Sequence, residues 1–369
     1  MPSSAALLAL LLAVAPAWKP AAPGHAWAFP ADHGSHPGYR NEWWYFTGIL
    51  AADAERGAPP RRFAYQVTFF RIGLSPEPRE RASAWSATDV LMGHAAVVDL
   101  ATGERVFSEV LYRAIPLLAG FGEPPDPRLA WSRGPPGTEA TWELRLDGDG
   151  FAIDVSDRQQ GLALRLALRP ERPPVLQGPG GLSRKSAQEG FASLYYSLPR
   201  LSTTGEITLG GATARVRGES WMDKEFGSSQ LAPDQSGWDW FAMRLADGRD
   251  LMLYLLRDKA GGTSFASGTL VERDGRVRWL AAGDFRVRVD RRWRSPATGA
   301  DYPAAWTLEV PSAGISLRVE PERADQENRG GSAPHYWEGA VRALAPDGSP
   351  AGEGFVELTG YGEGNRPPL

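Results

Sequence analysis

The sequence predicts an all-β protein made of two tandem antiparallel β-barrel units. Short apolar and aromatic runs alternate with Gly, Pro, Asp and Asn clusters along most of the chain, the pattern of strands and turns. The 42 glycines and 31 prolines suit many turns and oppose long helices. A set of sequence signatures then recurs in the same order in both halves, as two copies of one β unit would require.

Along the chain, Ala5 to Val14 is a short apolar run followed by Ala15-Pro16-Ala17. It is too short to span a bilayer comfortably and ends in small residues that suit signal peptidase, although no Lys or Arg precedes it. We expect residues 1–28 to be a signal peptide and leader, with a second cleavage point near Ala26 or Ala28, and the mature protein to be periplasmic or secreted. A lipid-facing anchor or a wrongly assigned start is the alternative. The first unit, residues 29–205, holds strand-like runs at Trp43 to Leu50, Phe63 to Phe70, Gly93 to Leu100, Trp142 to Leu146 and Gly161 to Leu168. Arg169 to Ser183, rich in Pro and Gly, reads as a long loop. The second unit, residues 206–369, holds Trp238 to Leu245, Leu251 to Leu256, Phe285 to Val289 and Ile315 to Val319. Asp247-Gly248 and Asp274-Gly275 mark hairpin turns, because Asp-Gly supplies the positive φ such turns need.

The repeat pairs Trp43-Trp44-Tyr45-Phe46 with Trp238-Asp239-Trp240-Phe241, and the strand end at Arg71 with that at Arg257. Trp142-Glu143-Leu144 pairs with Trp306-Thr307-Leu308, and Gly161-Leu162-Ala163-Leu164-Arg165 with Gly314-Ile315-Ser316-Leu317-Arg318. Pro170-Glu171-Arg172 matches Pro321-Glu322-Arg323, and Tyr195-Tyr196 loosely matches Tyr336-Trp337. Two such units close their edges most easily as barrels, and barrels of eight or more strands leave an interior cavity for one small ligand. Many of the paired aromatics are expected to point into those interiors.

Composition narrows the function. The 369 residues suffice for two domains, and with 42% hydrophobic and 23% charged residues a packed core is expected. The net charge of -4 gives no reason to expect nucleic acid or an anionic membrane surface as a partner. The chain has no cysteine, which excludes disulfides, thiolate nucleophiles and Cys-based metal sites. It also lacks the Gly-x-Ser-x-Gly elbow, His-Glu-x-x-His, a phosphate-binding glycine loop and a dinucleotide fingerprint. Serine hydrolases and nucleotide enzymes are therefore disfavoured.

Three clusters remain. His33 and His36, with Asp32 and Glu42 nearby, read either as polar groups at a pocket mouth or as ties holding the N-terminal segment to the barrel; their spacing matches no metal signature. In Trp221-Met222-Asp223-Lys224-Glu225-Phe226 the two carboxylates two residues apart fall on one side of a strand, with Trp221. A carboxylic acid beside an aromatic ring in an apolar cavity has a raised pKa and can act as a general acid near neutral pH. Equally, Asp223 can accept hydrogen bonds at the junction between the halves. Asp239 stands where the first half has Trp44, a replacement that packing alone does not require. His94 and His335 are lone histidines on aromatic strands, read as satisfied core or rim residues before catalysts.

These clusters resemble the AttH-like and carotenoid 1,2-hydratase-like proteins with paired lipocalin-like domains. The resemblance rests on Phe29-Pro30 with Asp32-His33-Gly34, Glu42 to Gly48, Tyr195-Tyr196-Ser197, Trp221 to Phe226, Gly237 to Phe241 and Glu357 to Tyr361, and covers nearly the whole mature chain. It implies two tandem lipocalin-like antiparallel β-barrel domains and a hydrophobic ligand, an isoprenoid or lipid. It implies acid-assisted alkene hydration or cyclisation, a hydro-lyase activity, with no cofactor or metal. The residues it points to for catalysis are Asp223, Trp221, Tyr196 and Glu225, with Asp223 as the acid and the rings of Trp221 and Tyr196 facing a carbocation. Trp44, Tyr45, His94, Tyr195, Asp239, Trp240, His33 and Glu42 are the expected ligand-binding set. At the spacing where the hydratases have a histidine and a tryptophan before the acid motif, this chain has Leu194 and Tyr196. A non-catalytic lipid or isoprenoid carrier, or a partner of a membrane export system, is the competing expectation.

Overall fold

The structure is a computed structural model that describes residues 17–53, 60–76, 83–123, 125–331, 334–362, 364 and 367. The apolar run at residues 5–14, on which the signal-peptide expectation rests, lies outside the described residues. Among the described residues there is no α-helix; three short 3-10 turns punctuate the strands. One sheet contains β1 (Asn41–Ala52), β2 (Arg62–Gly73), β3 (Asp89–Asp99), β4 (Arg105–Arg113), β5 (Ala119–Phe121), β6 (Arg128–Arg133) and β7 (Thr141–Asp147). It continues through β8 (Gly150–Asp157), β9 (Leu162–Pro170), β10 (Val175–Leu176), β11 (Leu182–Arg184), β12 (Ala192–Leu209) and β13 (Ala212–Ser229). The other contains β14 (Gln235–Leu245), β15 (Asp250–Asp258), β16 (Thr263–Val271), β17 (Val277–Ala281) and β18 (Arg286–Arg294). It ends with β19 (Asp301–Val310), β20 (Ile315–Pro321), β21 (Glu327–Asn328), β22 (Tyr336–Leu344) and β23 (Pro350–Leu358).

The 13-stranded sheet runs β4-β3-β2-β1-β13-β12-β9-β8-β7-β6-β5 and curls into a nearly closed barrel. The 10-stranded sheet runs β17-β16-β15-β14-β23-β22-β20-β19-β18 and forms a half-barrel. The expected boundary at 205/206 falls inside β12, and residues 206–229 pair in the first sheet. The expected long loop after Arg169 is partly strand: β10 and β11 pair along β12.

The two strand orders superpose, with β1 equivalent to β14, β12 to β22 and β13 to β23. One sequence pairing fails. Trp142 is on β7, two strands from β9, whereas Trp306 is on β19, directly beside β20.

Both faces of β1 are buried, and this is why it reads as an unbroken apolar run. Trp44, Phe46 and Leu50 point into the first barrel, with Phe63, Phe69, Trp142 and Phe151. Tyr45 and Ile49 point the other way, into a second core shared with Trp240, Met252 and Phe355 of the half-barrel. The half-barrel has its own interior of Phe241, Trp306, Trp337 and Tyr302. Large buried side chains therefore fill both interiors where a ligand cavity was expected, and the cavity lies at the junction between the sheets. The N-terminal segment packs on the first barrel: Ala21 is buried with Leu194 and Phe226. Trp18 covers Gly73, where a Cβ would stand 2.3 Å from the indole.

Candidate active site

The junction cleft takes one wall from each sheet. Trp43, Tyr45 and Phe70 come from β1 and β2, Tyr195, Asp223 and Glu225 from β12 and β13. Trp238, Trp240, Tyr254, Tyr336, Glu338 and Glu357 come from the half-barrel. The cleft is open at its mouth, and about 760 Å³ of space, solvent at the mouth included, is not filled by atoms. A second compartment of about 660 Å³ shares Trp43, Phe70, Trp238, Tyr336 and Glu357 with it and extends to Met92, His94 and His335.

Strand alternation brings the acid here. On β13, Trp221, Asp223 and Glu225 face the junction, whereas Met222 and Lys224 face the barrel interior. Asp223 accepts hydrogen bonds from the Tyr195 hydroxyl at 2.7 Å, the Ser197 hydroxyl at 2.5 Å and the Trp221 indole at 2.7 Å. None of these donors is a cation. Burial consequently outweighs the three hydrogen bonds and pushes the carboxyl up to about 7, with Glu225 adding to the rise. Glu225 itself is paired with Lys185 at 2.7 Å and accepts from Ser193. The Lys185 ammonium lies 4.5 Å from the Tyr254 ring centre.

The opposite wall mirrors this arrangement. In the register, Tyr45 lies across from Asp223 on β13, and Trp240 across from Glu357 on β23. Asp223 also faces Ser197, and Glu357 faces Glu338. Asp223 and Glu357 are therefore equivalent positions of the repeat, as are Ser197 and Glu338. Glu357 receives only a 3.3 Å bond from the Trp238 indole. Burial raises both acids of the pair, and Glu357 adds like-charge repulsion to Glu338, so ionising one opposes ionising the other. The Tyr45 and Tyr336 hydroxyls lie beside the Glu338 carboxyl and temper its rise, and among the described residues the Gln230 amide has no hydrogen-bond partner. These buried polar atoms border an otherwise aromatic cavity.

The cleft unites Asp223, Glu225, Tyr45, Tyr195 and Trp240 of the expected residues. Trp221 stands behind Asp223 as its donor; the wall rings are those of Trp43, Trp238 and Trp240. His94 lines the second compartment and bonds Tyr336 at 2.8 Å, its ring held neutral by burial with a pKa of about 3. Four expected residues serve the first barrel. Tyr196 is on the opposite face of β12 from Tyr195, packed in the interior and bonded to His33 at 2.5 Å, so its ring does not face a cation formed at Asp223. Burial lowers the His33 ring to about 4. Trp44 fills the interior and bonds the His33 carbonyl. Glu42 reaches the rim of the second compartment, but Lys224, Arg71 and His36 engage its carboxylate and hold its pKa well below the usual range against the pull of burial.

Asp239 is likewise no part of the cleft. It pairs with Arg257 and accepts from Tyr361 at 2.9 and 3.0 Å. In the first half Arg71 pairs with Glu42 directly across the strand pair. The position opposite Arg257 is Gly237, where a Cβ would stand 2.3 Å from the Thr359 carbonyl, and the acid moves two residues along to Asp239. The departure from Trp44 thus supplies an ion pair. The sequence reading missed Lys185, Tyr336, Glu338 and Glu357; carrying the Tyr195/Tyr336 match one strand further would have reached Glu357.

The fold and cleft define a two-sheet, lipocalin-like protein with an acidic aromatic cavity between its sheets. A family model described as AttH-like matches residues 20–361, and the chain belongs to that family. A protein of Nitrosomonas europaea provisionally assigned as AttH is 32% identical, with a TM-score of 0.81 over 93% of this chain and 99% of that one. Kievitone hydratase from Nectria haematococca shares the fold at 14% identity, with a TM-score of 0.65 over 89% of this chain and 91% of that one. The dehydratase asqC of Emericella nidulans is 24% identical over 220 residues, which are 57% of this chain and 61% of the relative.

Proposed function

We propose that the protein is a hydro-lyase that adds water to, or removes it from, a carbon–carbon double bond of a hydrophobic small molecule in the junction cleft. The observation that carries this reading is Asp223, a buried carboxyl held by neutral donors and protonatable near neutral pH, at the wall of an aromatic cavity. The names of the hydratase and dehydratase relatives support it. In hydration, protonated Asp223 gives its proton to one alkene carbon and a cation forms at the other. The faces of Trp43, Trp238 and Trp240 stabilise that charge. Water forms the new C–O bond and loses a proton to the Glu338–Glu357 pair, which returns it to Asp223 through solvent. Dehydration runs the same steps backwards. The polar atoms of Tyr45, Gln230 and Glu338 favour a substrate that carries oxygen functions on an apolar skeleton.

The test is incubation of the protein with hydrophobic alkenes and allylic alcohols in ¹⁸O-labelled water. Hydration of an alkene incorporates ¹⁸O, dehydration is read as loss of the allylic alcohol, and Asp223→Asn lowers either turnover by about 10²–10⁴-fold. Binding, read from quenching of tryptophan fluorescence, stays within a few-fold. Full turnover in Asp223→Asn overturns the mechanism. Binding without turnover in the wild type turns the reading to a carrier of isoprenoids or lipids.

Export belongs to the same proposal, supported by the apolar run and the small residues after it. The contacts of Trp18, Ala21 and Trp27 with the barrel favour cleavage near Ala17 over Ala26 or Ala28. N-terminal sequencing of the mature protein decides between them. A start after Ala28 overturns that preference.

A further inference from the structure

We propose that His25, Asp32 and His36 form a binding site for a divalent transition-metal ion, at the end of the first barrel and apart from the junction cleft. One ligand atom from each residue lies within 4.8 Å of the others. Both imidazoles turn Nε2 toward the same carboxylate oxygen: His25 at 3.1 Å and His36 at 3.0 Å from Asp32 Oδ1. The other Asp32 oxygen is held by the Ala28 amide, which leaves Oδ1 aimed between the rings.

His36 carries the argument furthest. Its Nδ1 lies 2.7 Å from Glu42 Oε1, and its Nε2 faces Asp32. A neutral imidazole has one N–H to offer two carboxylates. With Nδ1–H given to Glu42, a lone pair and a carboxylate oxygen face each other at the second nitrogen, and a cation between them resolves the opposition. A histidine whose far nitrogen is fixed by a carboxylate is the usual outer arrangement of a metal-bound imidazole. Glu42 is in turn fixed by Arg71 and Lys224.

The rings are also positioned in advance. His36 stacks on Phe226 with centroids 3.6 Å apart and planes 8° from parallel, and His25 meets the edge of the same ring at 5.6 Å. Asp32 belongs to the 3-10 turn Ala31–His33, and the three side chains retain partial access to solvent. Two imidazoles and one carboxylate suit Zn²⁺, Ni²⁺ or Cu²⁺ and leave a position for water. Because His25 and His36 flank the segment that crosses the barrel end, the ion would staple that segment to the strand carrying Glu42.

The experiment uses the untagged full chain stripped with EDTA and titrated calorimetrically with Zn²⁺ alone. One Zn²⁺ binds per chain and raises the melting temperature, and Co²⁺ in its place gives visible d–d absorption. His25→Asn and His36→Gln each weaken Zn²⁺ binding by at least about tenfold, on the scale of losses at metal sites. His25→Asn guards against misfolding, since His25 lies at the edge of the Phe226 contact, and circular dichroism checks both variants. Absence of Zn²⁺ binding in the stripped wild type, or unchanged binding in a folded His25→Asn, overturns the site.

Discussion

Asp223 and Glu357 occupy the same position in the two halves of the molecule, on opposite walls of one cleft, and differ in their neighbours. Asp223 faces Ser197, whose hydroxyl donates to it, and Tyr195 and Trp221 add two further neutral donors. Glu357 faces Glu338, a second acid, and receives a single long bond from Trp238. Duplication supplied two carboxyls, and the residue across the strand pair decided what each became. The first is one acid with defined donors; the second is half of a like-charge pair. Lys224, adjacent to Asp223 on β13 but on its other face, is equally buried and pairs directly with Glu42, yet burial still lowers its ammonium to about 7. Burial moves both groups toward neutral pH, and an opposite charge beside Lys224 offsets only part of that cost.

The largest expected effect breaks the comparison on the Asp223 side. Its folded pKa of about 7 stands above the ordinary carboxyl value of 3.8. The folded state therefore holds the proton more tightly, and stability falls as pH rises from about 4 to about 7, with the loss complete above that. The shift corresponds to about 4 kcal/mol. Urea unfolding of the wild type and of Asp223→Asn at pH 4 and pH 8 measures it. The gap between the two proteins shifts by about that amount in favour of the variant at pH 8, and relief of the Asp223 charge on Glu357 adds to it in the same direction. A gap independent of pH would mean that Asp223 is ionised throughout.

The next expected effect converts the second half into a copy of the first. Glu338→Ser removes the like charge facing Glu357 and restores a hydroxyl at the Ser197 position. Because burial and the neighbouring Glu357 charge raise the Glu338 pKa against the pull of the Tyr45 and Tyr336 hydroxyls, its charge costs stability as pH rises. The variant is more stable than the wild type at pH 8 by about 1–3 kcal/mol, the scale of the desolvation penalty of a buried polar group. At pH 4 the advantage disappears. Loss of stability at pH 8 would show that Glu338 is satisfied and packs the cleft.

How much of this was legible in the sequence depends on the element. The strand runs, the Asp-Gly turns and most of the repeat were readable because alternation and turn chemistry are local. Asp223 stood out because it lies two residues from both Trp221 and Glu225 in one strand. The location of the cleft was not legible: a strand buried on both faces shows no alternation, so Trp43 and Trp44 look alike although they face opposite cavities. Tyr195 and Tyr196 divide in the same way. Lys185 was hidden just past a Pro- and Gly-rich stretch whose folding along β12 depends on tertiary pairing.

That neighbouring tyrosine pair gives the smallest and sharpest test. Tyr195 donates to Asp223, and hydrogen bonding to a carboxylate lowers its pKa. Tyr195→Phe removes one of three donors, so the acid's pKa rises and the high-pH fall in kcat moves above about 7, by roughly one pH unit (~1.4 kcal/mol). Tyr196 bonds His33 on the other face of β12. Tyr196→Phe costs about 1 kcal/mol of stability and leaves the pH–rate profile in place. Both changes delete one hydroxyl from a buried tyrosine, one residue apart, so a general effect of loosening β12 would move both profiles together. Movement of the profile in Tyr195→Phe alone ties the titrating group to Asp223, and movement in Tyr196→Phe alone would place the working acid on the barrel side of the strand.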